Sequence, residues 1–207
     1  MNGKHLAIII MAIILVAIIV SVFVQTVIPN RTYANSISSN NLSTSYSLLT
    51  VSQAESVLGG NWTLLTQPTL LLSNASIISM INEGLTSTGM ASHDEQLFVF
   101  LTHYRNITQE NNSYNDITAN SLPNYVKVQN EYNGTLGNVR YLVFNASFSG
   151  DQPYYVENQT VITAIDGYYL FSIDTSGNAT LGSSNFTLKP SQVKQLIAYQ
   201  ISNINKT

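Results

Sequence analysis

Cysteine is absent from this chain of 207 residues. That excludes disulfides, zinc ribbons, thiolate nucleophiles and cysteine-held iron–sulfur clusters together. An exported domain of this composition must hold itself together by its core and its sheet. Charge is also scarce: Asp, Glu, Lys and Arg make up 9% of the residues, against about 25% in an ordinary soluble protein. The formal net charge of −3 and the lack of any basic run give no basis for a nucleic-acid partner. There is no Gly-x-Ser-x-Gly elbow and no His-x-x-x-His spacing. Gly59-Gly60 follows a helical segment instead of opening one, so no phosphate-cradling loop is present. No catalytic, cofactor-binding or metal-ligating residue is assigned.

What the chain does have is a long apolar run. Leu6 to Val20 carries no polar side chain, and the run continues to Ile28 with Ser21, Gln25 and Thr26 as its interruptions. As a helix it would span roughly 35 Å, enough for a bilayer core. It lacks the polar face a soluble helix would show. Lys4 and the amino terminus precede it, which puts the N-terminus in the cytoplasm and the rest of the chain outside. The lipid bilayer is therefore the expected partner of residues 6–28. Asn35 to Ser47 follows as uncharged Ser, Thr and Asn broken by Ile37, Leu42 and Tyr46. Thr32-Tyr33-Ala34 also fits a signal-peptidase site, so a retained anchor and a cleaved, secreted form both stay open. The expected organisation is an anchor or signal-anchor over 1–28, a Ser/Asn-rich linker over 29–50 and an extracytoplasmic domain over 51–207.

Twelve Asn-x-Ser/Thr sequons agree with that orientation: Asn30, Asn41, Asn61, Asn74, Asn106, Asn111, Asn133, Asn145, Asn158, Asn178, Asn185 and Asn205. Composition by itself would place about five. These are the candidate glycosylation sites of a surface glycoprotein.

Along the domain, "VSQAESVLGG" predicts a helix with Ser52 and Glu55 as its capping box. "NWTLLT" predicts a strand. "NASIISMINEGL" places Ile77, Ile78, Ile81 and Leu85 on one helical face. "EQLFVFLTHYR" (95–105) is apolar enough for a central strand buried on both faces. Residues 106–124 read as a polar loop. "YVKVQNEY" follows as a strand, with a turn expected at Asn133-Gly134. In "VRYLVFNASF" (139–148), Leu142, Phe144, Ala146 and Phe148 are assigned to the core, which leaves Asn145 on the opposite face. Two more strands flank a turn at Asp166-Gly167. "SQVKQLIAYQISNI" (191–204) closes the chain as a helix behind Pro190, burying Val193, Leu196, Ile197, Gln200 or Ile201, and Ile204.

This order predicts an α+β fold, a twisted antiparallel sheet with helices packed on one face. The order, with the ending "AIDGYYLFSID…LKPSQVKQLIAYQISNI", resembles PsbP/Mog1-like domains and small extracytoplasmic sensor domains of that shape. The resemblance implies fold and not activity. In composition the chain resembles glycosylated exported surface proteins of thermoacidophilic crenarchaea such as the Sulfolobales. With 11 carboxylates, such a domain loses little when acid protonates them.

Three features bear on chemistry. Asp174-Thr175-Ser176-Gly177 resembles the Asp-Thr/Ser-Gly loop of aspartic proteases, with one residue too many and no second copy; it reads as a polar hairpin turn. His93, Asp94 and Glu95 cluster, but His103 on the same strand face would lie about 27 Å from Glu95. Twelve tyrosines, including Tyr154-Tyr155 and Tyr168-Tyr169, offer packing or a stacking surface. The expectation is a membrane-anchored, glycosylated, non-catalytic binding or accessory module of the cell surface. It would meet a protein partner through a sheet face or the segment 106–124, with homo-oligomerisation open. The alternatives are a pilin-like filament subunit processed near Lys4, and a secreted acid hydrolase.

Overall fold

A computed structural model describes residues 48–72, 77–88, 93–117, 126–149, 156–179 and 184–204. The apolar run at 6–28 lies outside the described residues. Among those described, no helix is long and apolar enough to cross a membrane.

The domain is α+β. Helix α1 (Val51–Leu58) leads into strands β1 (Asn61–Leu72), β2 (Ile77–Thr88) and β3 (His93–Tyr104). Helix α2 (Ile107–Asn115) precedes β4 (Val126–Leu136), β5 (Val139–Ser149), β6 (Val156–Asp166) and β7 (Tyr169–Ala179). A short β8 (Ser184–Phe186) and helix α3 (Pro190–Ile204) complete it. Strand order is β1-β2-β3-β7-β6-β5-β4, with β8 pairing β6 in parallel. Two antiparallel meanders, β1–β3 and β4–β7, are thus joined through β3 and β7. Strand β3 sits mid-sheet with Leu97, Phe98, Val99, Phe100 and Leu101 all buried, as its unbroken apolar run implied.

One sheet face forms the main core. Leu97, Val99, Leu101, Val143, Ile162 and Ile173 meet the apolar stripe of α3, where Val193, Leu196, Ile197, Gln200 and Ile204 are buried as the helical spacing predicted. Each fully buried aliphatic side chain is worth about 2 kcal/mol. Asn203 joins them, donating to Leu48 O at 2.9 Å and to Gln53 Oε1 at 2.8 Å. That amide ties α3 to α1 and to the start of the domain.

Several expectations change. Residues 77–85 are strand, not helix. Ile81 and Leu85 stand four apart, which is one helical turn but also two strand repeats, so both point to the core face opposite Leu101 and Leu97. The capping box of α1 is Thr50 and Gln53, not Ser52 and Glu55; Glu55 instead accepts from Trp62 N. Part of the expected loop 106–124 is α2, started by Asn106, which accepts from Thr108 N at 2.7 Å. Asn133-Gly134 lies inside β4. The two hairpins turn instead at Gly137 (φ 60°) and Gly167 (φ 65°), each with the glycine first, as a two-residue turn with a left-handed leading residue needs. Gly134 is required for another reason: a Cβ there would come within 2.6 Å of Tyr141 Cζ, whose ring crosses it from β5.

The core face of β5 is also reversed. Tyr141 and Val143 enter the helix-covered core, and Asn145 shares their face. The other face, with Leu142, Phe144 and Ala146, is buried as well, so alternation could not choose between them. The helices are not all on one side. Arg140, which points to that second face, bonds Asn111 and stacks over Tyr114 of α2. Thus α1 and α3 cover one face while α2 lies on the other.

Candidate functional site

The most unusual surface is the β1 edge. Strand β1 pairs with β2 on one side and has no described neighbour on the other. Natural edge strands are commonly blunted by charge. Here no residue from Ser56 to Asn82 is charged. Leu64, Leu65, Leu70 and Leu71 are between 38% and 44% exposed. They form two leucine pairs on either side of Gln67-Pro68, among Thr63, Thr66 and Thr69.

The register explains how both pairs reach solvent. Three irregularities interrupt the ladder, between Leu64 and Thr66, Thr66 and Thr69, and Leu70 and Leu72. Each inserts one residue against β2, so neither leucine pair follows strict alternation. Thr66 and Thr69, three apart, both end on the second face, opposite Gly84 and Asn82. Glu83 lies between those two partners, on the core face and buried. Desolvation pushes its carboxyl up to about 7, so below neutrality this edge carries no charge there either.

The second face holds the other notable groups. Asp174 is 1% exposed in the middle of β7, between Phe98 of β3 and Val161 of β6. Its Oδ1 accepts from Ser172 Oγ at 2.5 Å. Burial raises its pKa to about 7, with the Ser172 bond opposing. Glu110 of α2 is also buried and pushed to about 7 by desolvation, with Arg140 opposing and Asp166 adding to the rise. Both carboxyls are protonated acids in mildly acidic water. Neither lies in a solvent-open loop, so Asp174-Thr175-Ser176-Gly177 is interior strand and not the turn expected. Beside it, Thr175 Oγ1 accepts from Thr160 N at 2.8 Å and donates to Phe186 O at 2.6 Å where β8 joins the sheet.

The remaining sequence candidates do not converge. His103 stacks on Tyr169 at 4.4 Å between ring centroids, and Glu95 is at the other end of β3. Tyr168 is exposed, while Tyr154-Tyr155 lies outside the described residues. Among the described residues no three His, Cys, Asp or Glu side chains gather as a metal site. Of the sequons, Asn61, Asn106 and Asn133 are exposed. Asn111, Asn145 and Asn158 are half-buried and hydrogen-bonded to Arg140, Thr160 and Gln129. Asn178 and Asn185 fall in β7 and β8; Asn30, Asn41, Asn74 and Asn205 lie outside the described residues. In sequence, Asn61 and Asn74 flank the leucine-rich stretch, leaving its middle without a sequon. The segment "NWTLLTQPTLLL" shows the leucines of the β1 edge but not that their strand is outermost.

No protein-family model matches the chain, and none of the curated proteins does. Among solved structures, the extracellular domain of PknH from Mycobacterium tuberculosis is similar at 10% identity, over 77% of this chain and 93% of that chain, with a TM-score of 0.42. A likeness of that degree carries no argument about function.

Proposed function

We propose that this chain is a membrane-anchored extracytoplasmic binding module, non-catalytic, with residues 6–28 in the bilayer, 29–50 as tether and 51–207 as the presented domain. Glycans on the exposed sequons suit a cell-surface setting. The observation that supports binding is the β1 edge, with four leucines exposed on a strand flank free of charge. Both sheet faces are covered over much of their area, so this edge replaces the sheet face as the contact surface.

The test places a photo-crosslinking residue at Leu65 or Leu70 in the full chain in its own membrane, with Thr135 on the exposed β4 edge as control. Adducts at the two leucine positions and not at Thr135 are expected. Equal labelling at all three, or labelling by water alone, would remove the reading. N-terminal mass spectrometry of the same protein tests the anchor. A start at Met1 supports it, a start at Asn35 gives a released protein, and a start between Lys4 and Ala7 favours a filament subunit.

A further inference from the structure

The β1 edge carries a symmetry of its own. Reading outward from Gln67-Pro68, the residues are Thr66 and Thr69, then Leu65 and Leu70, then Leu64 and Leu71. A stretch that reads alike in both directions suits antiparallel contact with itself, where a two-fold axis sets each residue opposite its mirror position.

A regular strand could not use this pattern. A two-fold axis relating side-by-side antiparallel strands runs perpendicular to the sheet and keeps each residue on its face. Residues three apart, such as Thr66 and Thr69, alternate in a regular strand and could never meet across that axis. The extra residue between them in β1 removes the conflict, because both pair with even-numbered residues of β2 on one face. The flanking irregularities also fall within the leucine pairs, one on each side, with Leu65 and Leu71 as the extra residues.

We propose that two copies of this chain meet antiparallel along β1 about a two-fold axis at Gln67-Pro68, with Leu64-Leu65 of each copy against Leu70-Leu71 of the other. This rests on β1 being the contact surface, and names a second copy as its occupant. Side chains supply the contact. Pro68 has no N–H, and the irregularities interrupt a continuous main-chain ladder. The absence of charge from Ser56 to Asn82 removes the like-charge repulsion that normally keeps two identical edges apart.

Because the chain has no cysteine, a single introduced thiol reports one position. The full chain in detergent micelles is oxidised mildly as Gln67→Cys, on the axis, and as Thr135→Cys on the far edge. Disulfide-linked dimer is expected at least about tenfold faster for Gln67→Cys. Leu65→Lys with Leu70→Lys should weaken dimerisation in sedimentation by about ten-thousandfold, one decade for each of the four ammoniums that the two copies bring to the interface. At dilutions where the native chain is monomeric its unfolding midpoint should stay unchanged, since both leucines are exposed. Equal cross-linking rates at the two thiols, or a dimer that survives the double lysine change, would overturn the proposal. A monomeric chain whose Leu65 photoprobe still labels lipid or another protein would end self-pairing but leave the binding module standing. A probe that labels only water would end both.

Discussion

Replacing Asp174 with Asn should remove a large part of this domain's dependence on pH. Asp174 is enclosed by Phe98 and Val161 on the neighbouring strands, and its Oδ2 is buried without a hydrogen-bond partner. Burial raises its pKa from 3.8 to about 7, so the folded chain holds a proton that the unfolded chain has released. Stability is then full below about pH 4 and falls as pH rises towards about 7, because in that window the folded state binds more protons. A shift of about three units corresponds to about 4 kcal/mol lost in total, against a whole-domain stability of about 5–15 kcal/mol. The amide keeps the shape and the bond to Ser172 and has no proton to lose. Urea unfolding of the full chain in detergent, followed by far-ultraviolet circular dichroism from about pH 4 to about pH 8, measures both. The native chain should weaken steadily over that range. Asp174→Asn should weaken by about 4 kcal/mol less, and the remainder belongs to Glu83 and Glu110, which burial also raises. Identical slopes for the two proteins, or a native chain that gains stability as pH rises, would refute the reasoning. Such a domain is most stable in acid, where its buried carboxyls are neutral.

Other outcomes follow from single contacts. Gly134→Ala would drive a methyl group into the Tyr141 ring and should cost about 1–3 kcal/mol in urea unfolding. Asn203→Leu leaves Leu48 O without its donor and Gln53 Nε2 without its acceptor; a loss of about 1–3 kcal/mol is expected by the same assay. Thr175→Val keeps the volume but strands Thr160 N and Phe186 O where β8 joins the sheet. Amide hydrogen exchange at residues 184–188 should rise there before it rises in β3. Glycopeptide mass spectrometry should find Asn133 modified more fully than Asn145, whose amide is half-buried and accepts from Thr160 at 2.8 Å.

Elements whose signal is local were legible in the sequence. The closing helix announces itself through apolar residues at helical spacing behind Pro190, and its buried set matches, with Gln200 inside and Ile201 half-buried. The β6–β7 hairpin is readable from two alternating runs around Gly167, although the turn sits one residue later than expected. The central position of β3 follows from a run too apolar for an edge. In the candidate site the four leucines were visible as letters, and so was the want of charge around them.

Tertiary structure decided the rest, because the deciding interactions join residues far apart in the chain. Ile81 and Leu85 fit helix or strand equally well by spacing, and pairing with β3 selects strand. Both faces of β5 are apolar, so only the packing of α1 and α3 on one of them settles where Asn145 points. Asp174 reads locally as part of a polar turn; it becomes an acid of raised pKa because β3 and β6 close on either side of it and exclude water. The leucines of β1 would be unremarked core residues had another strand paired beside them. Composition and periodicity fix which residues avoid water, but strand order determines which of them are left facing it.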